Sequence, residues 1–132
     1  MPAETPTVPP SRGASCKTVA VIDDDRAVRE SLTELLAVLG FLAEGFSSAE
    51  SFLQSDALAD TRCLLLDVML AGMSGPELLR KLALRGLRIP TILITAHEKT
   101  ALAPLPLEAS ACLLKPFSDA ALERALHEAL SR

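Results

Sequence analysis

The sequence predicts a doubly wound α/β domain: one parallel sheet with helices on both faces. Two observations carry this expectation. Short, nearly continuous apolar runs at 18–22, 63–66, 91–94 and 112–114 are each followed by a helical pattern. Buried parallel strands joined by crossover helices read this way. Each run also stops at a residue able to do chemistry: Asp23 and Asp24, Asp67, Thr95 and Lys115. Ligands of open parallel sheets bind outside the carboxyl ends of the strands. Three carboxylates, a hydroxyl and an ammonium are therefore expected at one edge.

Strand 1 covers 18–22. Asp25 is the N-cap of a first helix in which Val28, Leu32, Leu35, Leu36 and Leu39 recur at helical spacing, with Gly40 as its stop. Strand 2 follows at about 41–46. Ser47 and Glu50 then read as a capping box opening a short second helix to about 53 or 54. Strand 3 ends at Asp67. Ser74 and Glu77 form a second capping box, opening a third helix to about Leu84 with Gly86 as its stop. Strand 4 ends at Thr95 and strand 5 at Leu114. Ser118 caps a fifth helix with an apolar stripe of Ala121, Leu122, Ala125, Leu126 and Leu130. The segment 97–111 must hold the fourth, crossover helix. Pro104 and Pro106 each remove an amide donor there, so that helix is expected to be short, kinked or irregular.

The chain has 132 residues, enough for one domain with a true core, and 49% of them are hydrophobic. Mean hydropathy is +0.32, yet no apolar run approaches the ~20 residues a membrane helix needs. A net charge of −4, with the basic residues scattered, leaves no footprint for nucleic acid or anionic lipid. Residues 1–16 carry four prolines and no apolar signal-peptide core. They read as a disordered tail before a domain at 17–132. Cys16, Cys63 and Cys112 lack zinc-site spacing. An odd count without a signal peptide fits a reducing cytoplasm, with Cys63 and Cys112 as buried thiols.

Strands 1 and 3 are neighbours in the order 2-1-3-4-5, and ligands gather at their junction. Three carboxylates together need a counter-cation, and Mg²⁺ suits their hard oxygens. Lys115 can neutralise a carboxylate or hold a phosphate oxygen, and Thr95 offers a hydroxyl donor. A carboxylate can also attack phosphorus, giving an acyl phosphate. Positioning and charge neutralisation then supply the catalysis.

The segments 19–25, 64–75, 92–96 and 114–117 together closely resemble a response-regulator receiver domain, and the resemblance covers about 17–131. It implies a flavodoxin-like (βα)5 sandwich with Asp67 as phosphoacceptor. Asp24 and Asp67 would bind Mg²⁺, with Asp23 as a second or water-mediated ligand and the Met69 backbone carbonyl completing the set. Thr95 and Lys115 would contact the phosphoryl group, and a cis bond would precede Pro116. The implied donor is a sensor histidine kinase or a histidine phosphotransfer protein. The implied output is a downstream protein met through the fourth helix, strand 5 and the fifth helix, without nucleic acid, membrane or an enzymatic activity beyond the domain's own phosphorylation and dephosphorylation. With no effector after the fifth helix, a stand-alone receiver is expected.

Some positions depart from the family pattern. Leu70 and Ala71 replace a usual Met-Pro, and Cys112 stands where an aromatic usually reports the switch. The interval from Thr95 to Lys115 is about two residues short. Met69 and His97 occupy positions that tune phosphoryl lifetime in the family, although His97 reads as an exposed loop residue, and His127 as a surface one. Two other classes compete. A non-switching interaction domain would keep the fold, and an aspartate-based phosphohydrolase of the haloacid-dehalogenase type would need a strand-1 nucleophile and a cap.

Overall fold

In a computed structural model, which describes residues 18–70, 72–98 and 109–131, five parallel strands form one sheet. They are β1 (Thr18–Ile22), β2 (Leu42–Phe46), β3 (Thr61–Asp67), β4 (Thr91–Thr95) and β5 (Ala109–Leu114). The order β2-β1-β3-β4-β5 is the one expected. The helices are α1 (Arg26–Val38), α2 (Ala49–Leu53), α3 (Gly75–Leu84) and a C-terminal helix (Asp119–Leu130). The expected tail at 1–16, Ala71, and most of the expected fourth-helix segment, 99–108, lie outside the described residues.

The sheet separates two apolar cores. Alternate residues of the central strands, Val19, Val21, Cys63, Leu65, Ile92 and Ile94, face α1 and the C-terminal helix. Their neighbours Ala20, Ile22, Leu64, Leu66 and Leu93 face α2 and α3. Both faces are covered, so every residue of β1 and β4 is buried, which explains their unbroken apolar runs. The edge strands differ: β2 is largely exposed and β5 is only partly buried.

Local chemistry sets the helix limits. Asp25 caps α1 by accepting from the amides of Ala27 and Val28. The Ser74 capping box is complete, with Ser74 Oγ accepting from Glu77 N and Glu77 Oε1 accepting from Ser74 N. Both α1 and α3 stop in the same way. Phe41 N reaches Leu36 O and Gly40 N reaches Ala37 O; Leu87 N reaches Leu82 O and Gly86 N reaches Ala83 O. These are Schellman motifs, and they require the positive φ found at Gly40 (95°) and Gly86 (77°).

Four local expectations are corrected. The cap of α2 is Ser48, not Ser47, because burying Ala49 and Phe52 on one face sets the helix one residue later. Strand β5 begins at Ala109, three residues before the apolar run at 112, since pairing of Ala109 with Thr91 and of Ala111 with Ile92 recruits the Ala-Ser-Ala stretch. Cys112 is accordingly half-buried on an edge strand, unlike the fully buried Cys63. In the C-terminal helix Ala129 is buried, while Ala121 and Leu130 are only partly so. A short 3-10 turn at Asp56–Ala59, not anticipated, leads into β3.

Leu36 is fully buried, whereas Val38 on the same helix is 82% exposed. Leu36→Ala should lower unfolding free energy by about 2–5 kcal/mol, and Val38→Ala should change it by under about 0.5 kcal/mol, both read from urea denaturation. Burial pushes the Cys63 thiol up to about 12. At mildly alkaline pH its thiolate fraction is on the order of 10⁻⁴, and the thiolate is the reactive form. In a Cys16→Ser background, a thiol reagent should therefore modify Cys112 in the native protein and Cys63 only after denaturation.

Candidate functional site

Each residue expected at the carboxyl edge arrives by the ending of a strand. Asp23 and Asp24 follow β1, Asp67 is the last residue of β3, Thr95 the last of β4, and Lys115 follows β5. Carboxylate oxygens of Asp23, Asp24 and Asp67 lie within 4.8 Å of one another. Asp23 is almost completely buried, Asp67 nearly so, and Asp24 is exposed. Lys115 Nζ bridges the buried pair, 3.2 Å from Asp23 Oδ2 and 3.6 Å from Asp67 Oδ2.

The backbone completes the arrangement. Met69 N donates to Asp67 Oδ1 at 2.9 Å, and Asp25 N donates to Asp23 Oδ1 at 2.9 Å. Thr95 is wholly buried, and its Oγ1 accepts from His97 N at 3.0 Å. The hydroxyl position is thus fixed by the loop that follows it, while His97 itself is exposed, as expected. His127 is exposed too. Lys115 N donates to Thr95 O at 2.8 Å, which ties the ends of β4 and β5 together. The Lys115–Pro116 peptide is cis, as the resemblance implied.

Two contributors went unnoticed in the sequence. A Cβ on Gly75 would sit 3.0 Å from Asp67 O and 3.3 Å from Val68 Cα, so α3 packs tightly on the Asp67 loop where residue 75 has no side chain. Arg29 Nη1 donates to the Asp23 carbonyl at 2.6 Å. An arginine on the second turn of α1 gives no recognisable pattern by itself, and its partner is a main-chain atom.

Burial raises the Asp67 carboxyl above the ordinary carboxylate range; Asp23 and Asp24 raise it further, while the Met69 amide and Lys115 oppose the rise. The donor set fits a hard divalent cation: clustered carboxylate oxygens, with an ammonium already drawn in to offset their charge.

Comparison with known proteins adds a family. The model of the response regulator receiver domain matches residues 19–127. The chain belongs to the response regulator receiver family. This receiver is 42% identical over 116 residues to the transcriptional regulatory protein FixJ of Azorhizobium caulinodans, an alignment covering 86% of the chain and 55% of that protein. It is 41% identical over 106 residues to the C4-dicarboxylate transport transcriptional regulatory protein DctR of Rhodobacter capsulatus, covering 77% and 54%. The chain thus spans about half the length of these relatives. The crystal structure of FixJ-N superposes with a TM-score of 0.75 at 35% identity, covering 88% of this chain and 94% of that one. The response regulator StyR gives 0.79 at 38%, covering 89% and 60%. Receivers of two-component systems bind Mg²⁺ through acidic residues, are phosphorylated by histidine kinases and are generally not enzymes. Among the described residues, no helix is long and apolar enough to cross a membrane.

The carboxylate cluster should weaken the metal-free fold. A carboxyl whose folded pKa lies above its unfolded value binds more protons in the native state between those two values. Stability therefore falls as pH rises through that window and stays lowered above it. Asp67→Asn should raise the urea midpoint at neutral pH in chelator, because it removes the buried, mutually repelled charge. The gain should shrink on acidification through the window, when native Asp67 becomes neutral too.

Proposed function

We propose that the protein accepts a phosphoryl group on Asp67 from a phosphohistidine, on a sensor histidine kinase or a histidine phosphotransfer protein, with Mg²⁺ held by Asp23, Asp24, Asp67 and the Met69 carbonyl. The observation that carries this is the three-carboxylate cluster bridged by Lys115, at the strand ends where the family model matches. An oxygen of the Asp67 carboxylate attacks phosphorus in line, the P–N bond breaks, and an acyl phosphate forms. The imidazole leaves with the bonding electrons and takes its proton from solvent. Bound Mg²⁺ supplies charge neutralisation for the carboxylates and the phosphoryl oxygens.

Lys115 is placed to exchange its carboxylate partners for a phosphoryl oxygen. Thr95 Oγ1, already accepting from His97 N, has its hydrogen left to donate to another phosphoryl oxygen. Movement of Thr95 would pull on the 95–97 turn and so reach the face beside β5, where a downstream protein would bind. Cys112, half-buried on β5, replaces the aromatic switch, so the signal passes through backbone and loop displacement there. In this reading the chemistry is limited to the protein's own phosphorylation and hydrolysis, in the cytoplasm, with Asp67 rather than a strand-1 carboxylate as nucleophile. The proposed receiver domain is 17–132, after a tail at 1–16.

Incubation with acetyl phosphate and Mg²⁺, followed by intact mass, tests this. The native chain should gain one phosphoryl group; Asp67→Asn or added chelator should abolish the gain, and Lys115→Ala should slow it at least about tenfold. A folded, Mg²⁺-binding chain that gains nothing would instead favour a non-switching interaction domain.

A further inference from the structure

The side chain of Arg29 leaves α1, crosses β2 and ends on a main-chain oxygen of the acidic cluster. Its Nη1 donates to Asp23 O at 2.6 Å in a partly buried position. It can take that path because β2 has no side chain beneath it. Gly45 pairs in register with Val21 and faces the α1 side of the sheet. A Cβ there would lie 2.9 Å from Arg29 Cγ and 3.1 Å from Arg29 Cδ. The glycine and the arginine thus form one unit, a slot on β2 filled by a stem from α1.

The atom this unit holds matters. Asp23 O belongs to the peptide plane that carries Asp24 N, so fixing the carbonyl fixes the plane from which Asp24 departs. Three other contacts already secure Asp23: its amide donates to Phe46 O at 3.1 Å, its Oδ1 accepts from Asp25 N, and its Oδ2 faces Lys115. Asp24 is exposed, so the direction of its carboxylate depends on its backbone. We propose that Arg29, seated over Gly45, is a positioning residue for the divalent cation, acting by orienting the Asp23–Asp24 peptide. It rests on the Mg²⁺ site proposed above and touches neither the cation nor the phosphoryl group.

The proposal has a sign that simple electrostatics does not share. A guanidinium near a cation site repels the cation, so if charge alone mattered its removal would tighten Mg²⁺ binding. Positioning requires the opposite, because partners that orient ligands are worth about 10–100-fold in metal affinity.

Urea unfolding of the full chain at increasing Mg²⁺ reads both quantities: the Mg²⁺-free midpoint gives intrinsic stability, and its rise with Mg²⁺ gives Kd. Arg29→Ala and Gly45→Ala should each weaken Mg²⁺ binding about tenfold. Arg29→Lys, keeping the charge and a donor, should recover part of the loss. The double variant should be no worse than either single one, since without the stem the added methyl no longer meets Arg29. If Arg29→Ala does not fold, Gly45→Ala and Arg29→Lys still decide the matter. Unchanged or tighter binding in these variants, or a loss confined to the Mg²⁺-free midpoint, overturns the proposal alone. A native chain that Mg²⁺ does not stabilise overturns the cation site, and the proposal with it.

Discussion

The close approach of like charges at the carboxyl edge of the sheet is the constraint on which the rest of the structure depends. Carboxylates of Asp23, Asp24 and Asp67 stand within 4.8 Å of one another, two of them nearly out of solvent. No element gains stability from that arrangement alone; burial and repulsion both work against the ionised forms. What holds it is the parallel pairing of β1 with β3, in register from Val19–Cys63 to Ile22–Leu66, and the two apolar cores clamped on either face. The Lys115 ammonium, brought from the far edge by β5, offsets part of the charge. A fold that spends stability at one edge this way is the usual mark of a binding or catalytic site.

Around that edge, main-chain groups do most of the orienting. The amides of Met69 and Asp25 each take one carboxylate oxygen, and the amide of His97 takes the Thr95 hydroxyl. Each loop therefore grips the side chain two residues before it, a short-range geometry that persists when distant residues change. Close approach does the rest. Gly75 lets α3 lie against the Asp67–Val68 backbone, and Gly45 lets Arg29 reach Asp23. Small residues matter here for the space they leave to larger groups.

Much of the fold could be read directly. Asp25, Ser74 and Ser118 cap the helices expected of them, and Gly40 and Gly86 stop α1 and α3. These signals act within a few residues, so a linear string contains them. The strand ends that carry Asp23, Asp67, Thr95 and Lys115 were legible for a related reason, since a strand buried on both faces must be apolar until it reaches solvent. Misreadings fall where a distant partner decides. The start of β5 at Ala109 depends on pairing with β4, and the register of α2 on the core that receives Phe52.

By itself the sequence determined the α/β alternation, the caps and stops, and the identity of the five chemical groups at the strand ends, because propensity, periodicity and capping are local properties. Tertiary structure alone decided the distances among those groups, which oxygen of each carboxylate faces Lys115 and which an amide, and the partnership of Arg29 with Gly45. Sixteen positions separate that pair in the sequence, and they meet only when β2 settles beside β1 under α1. Such contacts carry no periodicity of their own; they are consequences of packing two surfaces together, and only the packed molecule displays them.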